Sequence, residues 1–438
     1  MTTTQTTQLP PGPAWPVHAQ GVAFLAARRR VMEAAWKRFG TAFTVTLPST
    51  TMLVITDPAL IKELFQTSTT LVQGVEPNLD VVFGPGSTFG LHGEAHRRRR
   101  KLLVPAFNGK RMRSYDGVVE EEAMREIATW PEDQEFPILE SMMRMTLNSI
   151  LRAVFGAEGA QLDELRTVMP KLMKRAAIFA ILPGLRHDWG PRSPWGRYLE
   201  IRHRFNSIID ALIAQHRADP HFEERSDVLS MLLRSSYEDG TVMSNSEISD
   251  ELFTLLAAGH ETTATALAWT VERLRRHPDV LSRLVDEFDS GGSELLQATI
   301  DEVHRTRPVI DGVARQVIDE PVPIGPWVVA KGQIIRVDIP LTHRNEAVYP
   351  EPDRFNPDRF IDSKPDMYAW VPFGGGTRRC IGAAFANMEM NGVLKTMLRE
   401  VSLVPTDEPD ERPRNKGVSF APHRGARMVL RRRASAAK

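Results

Sequence analysis

Phe373-Gly374-Gly375-Gly376-Thr377-Arg378-Arg379-Cys380-Ile381-Gly382 holds the single cysteine of a 438-residue chain, and the residues around that cysteine decide how it is read. A lone cysteine is most often a small buried hydrophobe. Three consecutive glycines point elsewhere. They permit positive φ and a close backbone approach to a flat ligand, and amides aimed at the sulfur favour a thiolate over a thiol. Arg378 and Arg379 add positive charge, and a guanidinium two residues before the cysteine can reach an anionic group on such a ligand. Gly382 leaves room for a helix to start beneath it. The run reads as a cradle for a flat anionic ligand held through sulfur.

The spacing FxxGxRxCxG resembles the haem-binding loop of the cytochrome P450 family at every specified position. Further motifs of that family occur in its order over most of the chain. The resemblance implies a mainly α fold with a minor β part, a triangular, helix-rich single domain with small β-sheets. It implies haem b, iron protoporphyrin IX, with Cys380 as thiolate ligand to iron and Phe373, Gly374, Arg378 and Gly382 as cofactor-binding neighbours.

Composition is compatible with that expectation. Hydrophobic residues make up 42% and charged residues 25% of the chain, ordinary for a globular protein with a sizeable core. No Gly/Ser linker or internal repeat divides it. The expected organisation is a Pro-rich, partly disordered lead over residues 1–17, one domain over 18–430 and a basic tail over 431–438. With 55 basic and 55 acidic side chains the net charge is zero, which gives no global attraction to nucleic acid or anionic membrane. One cysteine excludes an internal disulfide framework and a CxxC zinc site. The first residues, rich in Thr and Gln, resemble no secretory signal, and no stretch reaches the ~20 apolar residues of a membrane anchor. The chain is similar to cytoplasmic bacterial members of the family.

An amphipathic run from His18 to Phe39 predicts a helix ending at Gly40. Thr44–Leu47 and Met52–Ile55, separated by Pro48, Ser49 and Thr50, predict a hairpin. Helical periodicity dominates from Ser114 to Phe288, broken at Pro131, between Pro183 and Pro194, at Pro220 and at Pro278. Trp327–Ala330 and Ile334–Asp338 read as strands.

Ser244 with Glu247 forms a capping pair that opens a long helix running to His277, before Pro278. Its middle, Ala257-Ala258-Gly259-His260-Glu261-Thr262-Thr263, combines small residues with threonines that can hydrogen-bond back along the helix. His260-Glu261 opens a zinc HExxH motif, but position 264 is Ala, so the second ligand is missing. In the P450 family this segment is the oxygen-activation site. The resemblance makes Ala258 and Gly259 cofactor-binding, Thr262 the residue that positions dioxygen and waters, and Glu261 the acid that relays protons.

Glu302 and Arg305 lie three apart on one helical face, before Pro308. They resemble the family's structural ExxR pair, completed by an arginine that is either Arg359 or Arg354, with Arg359 preferred. His96 and Arg100, four apart in a basic run, share one side of a helix and resemble a pair that meets a haem propionate. Arg315, expected in a Pro-flanked turn before a strand, resembles another. Arg97, Arg98, Arg99 and Lys101 are candidates for docking an acidic redox partner.

The resemblance implies monooxygenation with O2. No flavin or iron–sulfur pattern occurs, so electrons would come from a separate ferredoxin and ferredoxin reductase, with NAD(P)H as the ultimate donor. Family positions implied to line the substrate are the loop near Leu71–Phe89, the run Phe179–Leu182, and Leu256, Ala257, Val309, Ile310 and Val313. Most are apolar, which suits a hydrophobic small molecule such as a fatty acid, sterol or terpenoid. The rival readings are a peroxygenase or isomerase on the same scaffold, and a haem protein that binds gas without catalysis.

Overall fold

The computed structural model of this chain describes residues 8–75, 79–107, 112–156, 159–416 and 419–433. Residues 1–7 of the expected lead, 434–438 of the expected tail and 76–78 of the expected substrate loop lie outside the described residues.

In chain order the elements are α1 (Val17–Phe39), β1 (Ala42–Leu47), β2 (Thr50–Ile55), α2 (Pro58–Gln66), β3 (Val72–Gly74), α3 (Leu79–Phe83), α4 (Gly93–Leu103), α5 (Met112–Ile127) and β4 (Phe136–Pro137). They continue with α6 (Leu139–Phe155), α7 (Ala160–Ile181), α8 (Pro194–Ala218), α9 (Val228–Arg234), α10 (Asn245–Arg276), α11 (Pro278–Asp289) and α12 (Glu294–Thr306). Then follow β5 (Gly312–Val317), β6 (Val322–Ile324), β7 (Trp327–Val329), β8 (Ile334–Asp338), α13 (Ile339–Thr342) and α14 (Ala383–Glu400). Short strands close the chain: β9 (Val401–Leu403), β10 (Pro413–Asn415), β11 (Phe420–Pro422), β12 (Arg427–Met428) and β13 (Leu430–Arg432). The expected mainly α architecture with small sheets is what the chain adopts.

Two compact units divide the chain, one formed by residues 1–76 with 304–380, the other by 77–303 with 381–438. The first is built on a five-stranded sheet of order β1-β2-β8-β5-β3, in which only β2 and β8 run parallel. The run Met52-Leu53-Val54-Ile55 is apolar throughout because β2 is covered on both faces. Met52 and Val54 pack with Met32 and Ala35 of α1, whereas Leu53 and Ile55 pack with Ile61 and Leu64 of α2. The Pro-rich lead is held from Pro10 onward: the Thr44 hydroxyl donates to the Pro10 carbonyl at 2.6 Å and the Thr44 amide to the Pro11 carbonyl at 3.2 Å.

The second unit is helical. The 32-residue α10 is about 48 Å long at ~1.5 Å per residue and packs along α6, while α14 packs on α5 and α7 on α8. Its N-terminus is closed by the expected capping box, with the Ser244 hydroxyl accepting from the Glu247 amide and the Glu247 carboxylate from the Ser244 amide.

Two expectations need correction. Arg315 lies inside β5, not in a turn, because Gly312–Gln316 pairs along its length with Ile334–Asp338. The tail expected from residue 431 begins as strand, since β13 pairs with β9.

Candidate functional site

The cysteine loop is built on its own unit. Gly374 and Gly376 take φ of +65° and +64°, which a side chain resists. A Cβ at Gly375 would stand 2.1 Å from the Phe65 ring of α2, and one at Gly376 would stand 2.7 Å from the Phe65 carbonyl. At least two of the glycines expected to make room for a flat ligand therefore make room for α2. The Cys380 amide donates to the Phe373 carbonyl at 2.9 Å and the Cys380 side chain is exposed. Phe373 packs edge-on against His304 at 5.1 Å between ring centres, with Trp370 at 5.9 Å. After the loop, Gly382 caps α14 and has open space where its Cβ would be.

Two arginines adjoin this loop. Arg315 is buried and its guanidinium donates to the Gly375 carbonyl at 3.2 Å. Gly74, its neighbour across β3 and β5, is small for a stated reason: a Cβ there would lie 2.6 Å from the Arg378 Nε. Sequence reading identified both arginines but not the glycine that admits one of them.

Arg305 is almost fully buried and its guanidinium donates to the carbonyls of His343, Pro352 and Arg354. Glu302 is buried on the same helix, α12. Of the two candidates for the third position, the Arg354 side chain is 66% exposed and faces Glu351, whereas the half-buried Arg359 donates to the Glu351 carbonyl at 2.9 Å. His343 carried no sequence signal, yet it accepts from the Val371 amide at 2.9 Å, at the start of the segment leading to Cys380. Burial drives its imidazole down to about 3, so it is neutral.

In α10, Ala258 is exposed although Leu256, Ala257 and His260 around it are buried, which leaves a small open step on an otherwise covered helix. Gly259 faces the other way: its Cβ would touch Ile150 of α6 at 3.4 Å, so its smallness serves helix packing. The Thr262 hydroxyl donates to the Ala258 carbonyl at 2.6 Å. The Glu261 carboxylate accepts from the Ser419 hydroxyl at 2.6 Å, a partner on the β10–β11 hairpin that the sequence did not announce. Burial lowers the pKa of His260, whose Nδ1 donates to the Leu256 carbonyl at 2.9 Å. It is a packed neutral histidine.

The basic run on α4 is not the open patch it resembles. Arg99 is 2% exposed; it donates to Tyr237 at 2.8 Å and to Glu247 at 2.7 Å, and it meets Glu251 at 3.3 Å. It also donates to the Gly86 carbonyl. Arg98 pairs with Asp239, Lys101 with Glu238 and Arg97 with Glu94. The expectation that Arg99 docks a partner is corrected by its burial. His96 is buried and Arg100 half-buried on the same helix.

Arg99 belongs to a strap. The Gly86 amide donates to Asp250 at 2.9 Å, the Ser87 and Thr254 hydroxyls meet at 2.7 Å, and the Thr88 hydroxyl donates to Glu251 at 2.7 Å. Burial holds Asp250 and Glu251 above the usual carboxylate range. The segment after α3 is thereby fixed to the first turns of α10. Of the positions expected to line a substrate, Leu256, Ala257 and Phe179 lie in the apolar core of the helical unit. Val309 is buried in the other unit, where Ile310 and Val313 pack against the core beneath the sheet.

An exposed thiol in a glycine-rich loop, with the guanidiniums of Arg315 and Arg378 beside it, fits a flat, dianionic, sulfur-ligated ring. These are the parts of a haem-thiolate oxidoreductase. The chain belongs to the cytochrome P450 family, whose model matches residues 10–428. It is 50% identical over 427 residues to cytochrome P450 138 of Mycobacterium tuberculosis, covering 97% of each chain, and 37% identical to cytochrome P450 135B1 of the same organism, covering 98% of this chain and 93% of that one. Among solved structures, retinoic-acid-bound cyanobacterial CYP120A1 superposes with a TM-score of 0.84 at 23% identity, covering 98% of this chain and 100% of that one. The cytochrome P450DA heme domain gives 0.82 at 24%, covering 97% and 98%. Members of the family are monooxygenases that carry haem b on a cysteine thiolate. No described helix is long and apolar enough to cross a membrane.

Proposed function

We propose that this P450 hydroxylates a hydrophobic small molecule of the lipid, fatty acid, sterol or terpenoid class, taking electrons from a separate ferredoxin and its NAD(P)H-dependent reductase. The observation that carries this reading is Cys380, the sole cysteine, presented with an exposed thiol by a loop whose backbone is fixed at Phe373 and Gly376. Haem b, when bound, supplies the oxidation: a cysteinate ligand pushes electron density onto iron and favours O–O cleavage for attack on unactivated C–H bonds.

The residues of the chain prepare that chemistry. Cys380 would supply the thiolate that binds the iron. Arg378, Arg315, His96 and Arg100 would hold the two propionates, and Gly74 keeps the place of Arg378 free. Glu302, Arg305 and Arg359 are structural, fixing the segment that leads to the loop. The Thr262 hydroxyl spends its hydrogen on the Ala258 carbonyl, so its oxygen is left to accept a hydrogen bond. The Glu261 carboxylate is aimed by Ser419 and carries protons inward.

The test is the spectrum of the dithionite-reduced protein with carbon monoxide, beside Cys380→Ser. A red-shifted Soret band in the native protein that the serine variant loses supports the ligand; NAD(P)H consumption with ferredoxin, reductase and a hydrophobic substrate supports the reaction. Product formed with peroxide alone, and no coupling to ferredoxin, would instead identify a peroxygenase.

A further inference from the structure

The basic run of α4 is met by an acidic turn between α9 and α10. Lys101 pairs with Glu238 at 2.7 Å and Arg98 with Asp239 at 2.5 Å, partners 137 and 141 residues away in the chain. Exposed ion pairs usually contribute little, because two long side chains must be ordered to make them. Here the acidic half is ordered by its own turn. The Tyr237 amide donates to the Thr241 carbonyl at 2.8 Å and the Gly240 amide to the Tyr237 carbonyl at 2.9 Å, with Gly240 at φ +80°. Thr241 donates to Asp239 Oδ1 from its amide at 3.0 Å and from its hydroxyl at 2.6 Å, which leaves Oδ2 to face Arg98. Those bonds from Thr241, and then Arg98, hold the Asp239 carboxyl down at about 2.

Tyr237 ties the same turn to α4 from a different side. The Arg98 guanidinium lies over its ring at 4.7 Å, and its hydroxyl accepts from the buried Arg99 at 2.8 Å. Arg97 meets Glu94 within α4, so Arg97, Arg98, Arg99 and Lys101 all face an acid of this chain. Glu238 and Asp239 stand where an acidic protein would place its own carboxylates. They are also replaceable. Their side chains are 79 and 51% exposed, so either can swing off its cation by changing rotamer, whereas the Glu251 partner of Arg99 is buried. Exchange favours only a partner whose carboxylates are at least as well placed; a neutral or basic surface gains nothing by it.

We propose that the Glu238–Asp239 turn is a built-in competitor for the α4 cations, covering Arg98 and Lys101 until an acidic redox partner displaces it, a role that rests on electrons coming from a separate ferredoxin. The turn thereby weakens docking and makes it selective.

The experiment is calorimetric titration of the haem-loaded protein with a plant-type [2Fe–2S] ferredoxin, an acidic electron carrier, at several salt concentrations. Glu238→Gln with Asp239→Asn should tighten binding roughly three- to tenfold at low salt, as two exposed pairs no longer have to be broken. The salt dependence should steepen, because more of the attraction is then between the two proteins. Adding Arg98→Gln and Lys101→Gln to that variant should cancel the gain, since the uncovered cations are its source. Native affinity in the Gln/Asn variant, a gain that survives loss of both cations, or no binding by either protein overturns the proposal. Unchanged affinity with a lowered urea midpoint would assign the turn to bracing α4 instead. The carbon monoxide spectrum does not depend on the turn, so failure here leaves the cysteinate reading standing, and loss of the red-shifted band would sink that reading separately.

Discussion

Arg305 and His343 hold each other twice: the Arg305 guanidinium donates to the His343 carbonyl at 2.9 Å, and the His343 Nδ1 donates to the Arg305 carbonyl at 3.1 Å. The other ring nitrogen of His343 accepts from the Val371 amide at 2.9 Å. One neutral imidazole thus joins the end of α12 to the segment that leads into the cysteine loop.

That imidazole makes the unit acid-sensitive. Burial holds His343 at about 3 in the folded state, below the ordinary 6.5, so the unfolded chain takes up the proton first. His343 therefore contributes stability above pH 6.5 that is lost as pH falls toward 3. Urea unfolding at stepped pH should show that slope, and His343→Gln should flatten part of it, at a cost of about 1–3 kcal/mol at neutral pH for buried groups left without partners.

Glu389 on α14 gives the opposite dependence. It is fully buried, neither carboxyl oxygen has a hydrogen-bond partner among the described residues, and burial raises it to about 8 while Ser149 beside it pulls the other way. The unfolded carboxyl, near 4.5, releases its proton first as pH rises, so stability declines from pH 4.5 to 8. Glu389→Gln should raise the melting temperature at pH 8, with the gain vanishing near pH 4.5.

Ser419 should act on turnover through Glu261. Glu261→Gln is expected to lower kcat by about 10²–10⁴ with KM little changed. Ser419→Ala should give a smaller fall of roughly tenfold, with KM kept, and Ser419→Thr should restore it because the threonine hydroxyl can still donate. A Ser419→Ala enzyme with native kcat would remove the serine from the proton path.

The basic run on α4 should separate into two kinds of residue. Arg99→Met strands the buried Glu251 carboxylate and should cost about 3–5 kcal/mol in urea unfolding. Lys101→Gln removes an exposed pair and should leave stability unchanged.

Gly375→Ala should destabilise the cysteine loop, since the new methyl group overlaps the Phe65 ring. Trimming the ring with Phe65→Leu should recover part of the loss in a double-mutant cycle, a coupling that two independent sites would not show.

What was legible in the sequence was local. The cysteine loop is read because its chemistry is contiguous, and α10 because a capping box opens it and Pro278 follows its end. The role of Arg99 was not legible. Four arginines in a row look alike until the fold brings Glu247 and Glu251, 148 and 152 residues away, against one of them. Strand β5 was missed for a similar reason, since Arg315 and Gln316 break its apolar alternation and its pairing lies with β8. Ser419 and His343 were silent because a hydroxyl or imidazole acquires a role only from the carboxylate or carbonyl placed beside it.

The contact between Gly375 and Phe65 has a consequence for how such loops diverge. Two positions 310 residues apart in the chain share one volume, so drift at either is constrained by the other. A descendant that first acquires a smaller residue at 65 could afterwards admit a side chain at 375 and still present its cysteine. Ancestry traced by glycine count alone would overlook it.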